Sequence, residues 1–235
     1  MKNKKRLILF LLFISSISIY SQTSEELNNY VQSQIGIQNS HLFNGKTYSN
    51  NYRVLSTKNQ FLNESLNYSK GVIVTQGILF NDLELKYDVF NQELIIKPDP
   101  ETSHLGIIID TTQLNSFKLF DTTFINLKSG SIDNGFYESA IDLPKIKLFI
   151  KHRKNKIKKL DKKTIHYEFE NKYEYVLYTD FDYKLADTKE NWIKIYPDFK
   201  KEIKKFYSSN KTLEKLDKTA FMKKLTFYIN TLNKQ

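Results

Sequence analysis

The sequence predicts an α+β protein in which an antiparallel β-meander, as an open barrel or curved sheet, is covered by two or three C-terminal amphipathic helices. Two observations carry that expectation. From Gly71 to about Ala186, short runs rich in Val, Ile, Leu, Phe and Tyr alternate apolar with polar residues at a period of two and are joined by polar turns. Beyond Asp187 the apolar spacing changes to that of a helix. Strands set this close together leave no room for crossover helices, so antiparallel neighbours are expected, about eight to eleven in number. At 235 residues the chain is long enough for one domain with a sizeable core.

Taken in order, the chain opens with Lys2, Lys4, Lys5 and Arg6, an apolar run from Leu7 to Tyr20, and the small residue Ser21. That pattern describes a secretory signal peptide over 1–21. An uncleaved anchor fits less well, because a bilayer takes roughly 20 apolar residues to span. No Cys follows to accept a lipid, and no later stretch reaches spanning length, so the mature chain is expected without a transmembrane segment. The expected location is periplasmic or outer-membrane associated, or outside the cell.

Residues 22–70 read as an irregular segment. Ser24 can cap a short helix over 24–35 bearing Leu27, Tyr30, Val31 and Ile35, and Asn44-Gly45 is a turn signal. Residues 71–186 form the β-rich part. Val72 to Thr75 is a β-branched run, and Leu79, Leu83, Leu85 and Tyr87 then share a parity opposite Asp82, Glu84 and Lys86. Leu94 to Ile96 stop at Pro98 and Pro100. Gly106–Asp110, Phe117–Leu127 and Phe136–Leu143 add short runs, and Ile146, Leu148 and Ile150 alternate with lysines. Ile165, Tyr167 and Phe169 are followed by a tight turn expected at Asn171-Lys172, after which Tyr173 to Tyr178 returns. Residues 187–235 supply the helices: Asp187 with Glu190 resembles a capping box ahead of Trp192. Phe199, Ile203, Phe206 and Tyr207 share one face opposite Lys200, Lys201, Lys204 and Lys205, and a last stripe begins near Asp217 with Phe221, Leu225, Tyr228, Ile229 and Leu232. The lysine-faced helix could lie on an anionic membrane, but docking on the sheet is favoured because an exposed sheet face needs cover.

The formal net charge is +10, and it is unevenly placed. Residues 22–144 hold 8 basic and 14 acidic residues, whereas 145–235 hold 24 basic and 12 acidic. The densest cluster is Lys145 to Lys163, with ten basic residues against the single acid Asp161. It is read as a hairpin whose Lys147, Lys151, Arg153, Lys154, Lys156, Lys158 and Lys159 form a candidate interaction surface. In an exported protein such a field points to an anionic envelope polymer or an acidic envelope protein, and nucleic acid is not expected as a partner. The chain has 33 Lys but 3 Arg, and 21 Asn but 3 Ala, a bias typical of an AT-rich genome that makes each lysine less informative.

The absence of Cys excludes disulfides, thiolate catalysis and cysteine-ligated metals. Of His41, His104, His152 and His166, the last shares a strand face with Glu168 and Glu170, a possible zinc or manganese set. Lys172 and Glu174 continue that face, which favours an ordinary solvated row. Asp180, Asp182 and Asp187 lack the glycine and terminal Glu of a calcium loop. Asp121, Asp133, Glu138 and Asp142 lie near turns, and two of them would have to converge to serve a hydrolase. There is no nucleophile elbow, zinc-binding His pair or phosphate loop, and neither cofactor nor metal is expected.

Asn44-Gly45-Lys46-Thr47-Tyr48, then Gly71-Val72-Ile73-Val74, Gly77 and Phe80, then Leu83, Leu85, Tyr87-Asp88 and Leu94 form a connected pattern, joined later by Gly135-Phe136-Tyr137-Glu138 and by Phe206 to Leu213 with Asn210-Lys211. It resembles a widespread family of uncharacterised exported, signal-peptide-bearing proteins of Bacteroidota-type Gram-negative bacteria. Thr75 departs from the pattern, which has an aromatic there, and the stretch from Leu55 to Ser69 does not align with it. The resemblance implies an envelope location and a β-rich domain, with no catalytic residue to carry over. The reading that follows is a non-enzymatic envelope protein that binds another envelope component. Its alternatives are an envelope hydrolase with paired carboxylates in a β cleft and a carrier of a small apolar ligand.

Overall fold

Eleven strands make one antiparallel sheet with helices stacked on part of one face. The computed structural model describes residues 40–98, 105–161 and 163–233; the expected signal peptide, the helix expected over 24–35, Pro100 and His104 lie outside the described residues. The strands are β1 (Lys46–Thr47), β2 (Ser69–Thr75), β3 (Ile78–Asp88), β4 (Glu93–Ile96), β5 (Ile107–Ile108), β6 (Leu114–Leu119), β7 (Thr122–Leu127), β8 (Gly135–Asp142), β9 (Lys147–Asp161), β10 (Thr164–Thr179) and β11 (Asp182–Leu185). Their spatial order is β1-β5-β4-β3-β2-β6-β7-β8-β9-β10-β11, so the sheet is open, with β1 and β11 at its edges. From β6 onward each strand pairs with the next. The first part runs outward from β2 through β3 and β4 to β5, after which the chain returns to lay β6 along the other edge of β2.

Local chemistry accounts for the hairpins. Gln76-Gly77 and Asp180-Phe181 both place two successive residues at positive φ, the conformation of two-residue loops that follow the strand twist. Within β3 the register shifts between the pairs Ile73↔Phe80 and Gly71↔Leu83, leaving one extra residue where Asp82 takes φ 55. That bulge resets the parity: Phe80 joins Leu83, Leu85 and Tyr87 in the core, and Leu79, expected there, does not. The core of this half is aromatic. Phe117 and Phe124 stack at 4.7 Å between centroids, with Phe136 edge-on at 4.8 Å and Tyr87 at 5.2 Å from Phe117.

One turn expectation is corrected. No turn occurs at Asn171-Lys172, because β9 and β10 pair without a break from Asp161↔Thr164 to Lys147↔Tyr178, passing through Lys154↔Asn171 and Arg153↔Lys172. The parity Ile165, Tyr167, Phe169, Asn171, Tyr173, Tyr175, Leu177 never changes phase, as it would across a hairpin loop. The chain instead reverses between Asp161 and Thr164, where Lys163 takes φ 70. The basic cluster is therefore one long strand and the turn after it, with no hairpin of its own.

The helices are α1 (Lys189–Ile195), α2 (Lys200–Ser209), α3 (Lys211–Leu216) and α4 (Lys218–Leu232), four where two or three were expected. The additional one is α3, set between Asn210 and Asp217, and the last helix is capped by Asp217, near where it was expected to begin. The capping box of α1 belongs to Thr188 and Asn191; Asp187 instead accepts the Tyr175 backbone N–H at 2.7 Å. Trp192, Ile203, Phe221, Met222, Leu225 and Ile229 pack on Ile146, Leu148, Ile150, Tyr175 and Leu177 of the sheet. Each such side chain contributes about 1.5–3 kcal/mol when buried, and this contact docks the lysine-faced helix α2 on the sheet.

At Asn44-Gly45 the chain enters β1 against β5. A Cβ on Gly45 would lie 1.7 Å from the Ile108 carbonyl oxygen, so Gly45→Ala is expected to push β1 off the edge at a cost of about 1–2 kcal/mol. Amide exchange provides the check: the Tyr48 N–H, which donates to Gly106 O at 2.8 Å, should lose protection, while the β9–β10 amides keep theirs.

Candidate functional site

Strand alternation sends the basic residues of β9 to opposite faces, and only some reach water. Lys147 lies 2.7 Å from Asp142, and Arg153 lies 2.7 Å from Asp133 and 3.4 Å from Glu174. Lys151 and Lys154, expected on the surface, are both buried. Lys151 Nζ donates to the carbonyls of Asp133 and Asn134 at 3.2 and 2.9 Å and sits 4.9 Å from the Tyr137 ring centroid, so its charge organises a loop. Lys156, Lys158 and Lys159 are exposed. Lys156 lies over Tyr52, Phe90 and Tyr167 at 5.0 to 5.3 Å, Lys159 is 3.9 Å from Glu168, and Lys158 has no ion-pair partner among the described residues. Beside them Leu160 and Ile165 are 72% and 43% exposed, which makes the far end of the β9–β10 ribbon both cationic and apolar.

The structure scatters the other candidates. Glu170 faces Lys58 at 3.8 Å, and no group of three or more His, Asp or Glu side chains able to hold a metal occurs among the described residues. Asp180 pairs with Lys184, Asp182 accepts from Ser131, and Asp187 holds the Tyr175 amide. Asp133 and Asp142 are each engaged by one cation, as above, and Asp121 is exposed on the β6–β7 turn. An open cleft of about 460 Å³ lies where the helices meet the sheet, but Lys145, Lys147 and Asp180 line it together with Ile146, Phe181 and Tyr196, so it is not an apolar cavity.

Glu138 does join something. Its carboxylate binds His152 Nε2 at 2.7 Å on one oxygen and Lys223 Nζ of α4 at 3.1 Å on the other. Burial raises its pKa, but the hydrogen bond and attraction of His152 together with the Lys223 ammonium outweigh this and hold it below the usual carboxylate range. His152 and Tyr173 are direct cross-strand partners, as are Lys154 and Asn171, so the four side chains form a block on one sheet face. Over this block lies the short 3-10 turn Leu62–Glu64. Asn63 and Glu64 both have positive φ, at 52 and 57. The Asn59 side-chain amide pins the turn by donating to Glu64 O at 2.6 Å.

Turn and block enclose a polar pocket of about 220 Å³, lined also by Val89. The Lys154 side chain is 1% exposed and its Nζ has no hydrogen-bond partner among the described residues, the Glu64 carboxylate standing at 3.9 Å. Burial lowers the Lys154 pKa and raises that of Tyr173. Sequence reasoning missed this pocket: its residues come from the N-terminal segment, both long strands and the β3–β4 turn, and only the parity of His152 with Lys154 and of Asn171 with Tyr173 hinted at it. The chain matches no family model, no curated protein and no solved structure.

Proposed function

We propose that this is an exported envelope protein that works by binding an anionic envelope polymer through the far end of the β9–β10 ribbon. The observation that carries the reading is the joint exposure of Lys156, Lys158 and Lys159 on one strand end, with Lys158 without a counter-ion among the described residues and Leu160 and Ile165 beside them. Clustered exposed cations attract a polyanion at long range, and neighbouring apolar groups can prolong the contact. The export half of the proposal rests on the basic and apolar pattern of residues 1–21 and on the resemblance described above. The hydrolase alternative has less support, since Asp133, Glu138 and Asp142 stand in separate ion pairs instead of facing one another. An apolar-ligand carrier likewise lacks a dry cavity among the described residues.

Lipopolysaccharide vesicles test the proposal. Binding is expected to weaken steeply with added salt, and the variant Lys156→Glu/Lys158→Glu/Lys159→Glu should lose at least about tenfold in affinity. Binding that ignores both salt and the triple reversal would remove the ribbon as the docking surface.

A further inference from the structure

We infer that the pocket between the Leu62–Glu64 turn and the β9–β10 block binds a small oxyanion, a carboxylate or phosphate group, through the ammonium of Lys154. The site is separate from the exposed lysines of the ribbon, and the inference stands whether or not those bind a polymer.

The argument begins with an unmet requirement. A lysine ammonium carries three N–H donors, and taking it out of water without hydrogen bonds costs several kcal/mol. Lys154 is 1% exposed at its side chain, and its Nζ makes no hydrogen bond among the described residues. Lys151, the other buried lysine of the same strand, has two carbonyl acceptors, so the fold is able to satisfy such a group where the role is structural. At Lys154 the ammonium borders a cavity of about 220 Å³, and the carboxylate paired with it among the described residues, Glu64, stands at 3.9 Å, beyond hydrogen-bond reach.

The lining identifies the occupant. Asn171 and Tyr173, both exposed, also line the cavity, and their side chains make no hydrogen bond to protein among the described residues. His152 lines it too, and its Nε2 is committed to Glu138. The charge of Glu138 is already shared between His152 and Lys223. Among the lining residues Glu64 carries the one carboxylate, and its side chain is 35% exposed and can swing toward water. A metal cation would be repelled by Lys154, and an apolar group would leave its ammonium unmet. A compact oxyanion supplies several acceptors at once and forms charge-assisted hydrogen bonds, the strongest kind available here. The volume suits a carboxylate or phosphate with a few attached atoms. The turn that roofs the pocket is the place where Asn63 and Glu64 both take positive φ, and backbone held this way by its surroundings concentrates at ligand clamps.

The test is a titration of the full mature chain with sodium acetate in one arm and sodium phosphate in the other, each against sodium chloride at equal ionic strength, followed by amide NMR. Saturable shifts at Glu64, Asn171 and Tyr173 are expected in at least one arm, and the arm that responds says whether a carboxylate or a phosphate is preferred. Lys154→Met should lower that affinity about tenfold or more. This variant exchanges a buried ammonium without hydrogen bonds for an apolar side chain of similar length, so it is expected to fold and to melt no lower than the parent. Glu64→Gln, which removes the carboxylate at the rim, should tighten binding several-fold. If neither anion gives saturable shifts at these residues, if Lys154→Met binds like the parent, or if Glu64→Gln binds more weakly, the inference is wrong.

Discussion

Trp192→Ala is expected to destabilise the protein by about 3–5 kcal/mol, because the indole is fully buried where the helices meet the sheet. Its Nε1 donates to Ala186 O at 2.9 Å, tying α1 to the chain that leaves β11. The substitution opens a cavity against Leu148, Ile150, Tyr175 and Leu177 and leaves that carbonyl without its donor. Most of the lost energy is burial, so no polar rescue at position 192 should restore it. Phe181, 96% exposed on the β10–β11 turn, is the internal control: Phe181→Ala should stay within about 0.5 kcal/mol of the parent. Urea unfolding compares the two. A Trp192→Ala midpoint equal to that of Phe181→Ala would mean that the helices do not draw their stability from the sheet.

Asp88→Ala is the second large effect, at about 3 kcal/mol. The carboxylate is buried and accepts the Tyr48 hydroxyl at 3.0 Å and both the backbone and side-chain N–H groups of Asn91 at 2.9 Å. It thereby joins the end of β3, the β3–β4 turn and the N-terminal segment, which also bridges at Phe61↔Asp88 and accepts the Val89 N–H at Gln60 O, 3.0 Å away. Alanine strands all three donors. Burial raises the Asp88 pKa above the ordinary range, and its hydrogen bonds only partly counter that shift. A raised carboxyl adds stability that is complete below its unfolded pKa and fades as the pH rises through the folded value. The stability gap between parent and variant is therefore expected to be widest in acid and to narrow toward neutrality. A gap that widens as the pH rises would show that the carboxylate is held mainly by its charge.

How much of this was legible in the sequence varies with the kind of information each residue carries. The period-two rows along β3, β9 and β10 and the helical stripes of α2 and α4 were readable because side-chain parity is a local property. Asp82 hides a bulge, since a bulge costs one residue of phase and Leu79 looked as well placed as Phe80. The turn expected at Asn171-Lys172 was misjudged because two polar residues in a strand look like a loop; the unbroken parity on either side was the better guide. The capping box was displaced by one residue, since Asp187 and Thr188 are both good caps and the Tyr175 amide claims Asp187.

The sequence by itself determined the alternating and amphipathic rows, where the basic residues cluster and that the chain ends in helices, because alternation and amphipathic spacing are written in neighbouring residues. Only the tertiary structure decided the fate of each lysine on β9. Lys151 meets two carbonyls, Lys154 meets a roofed pocket, and Lys158 meets water, though along the chain the three read alike. The physical reason is that the state of a charge depends on the acceptors and solvent within a few ångströms of it, and here those come from the Asp133–Asn134 loop and the Leu62–Glu64 turn, segments that only folding brings to the strand.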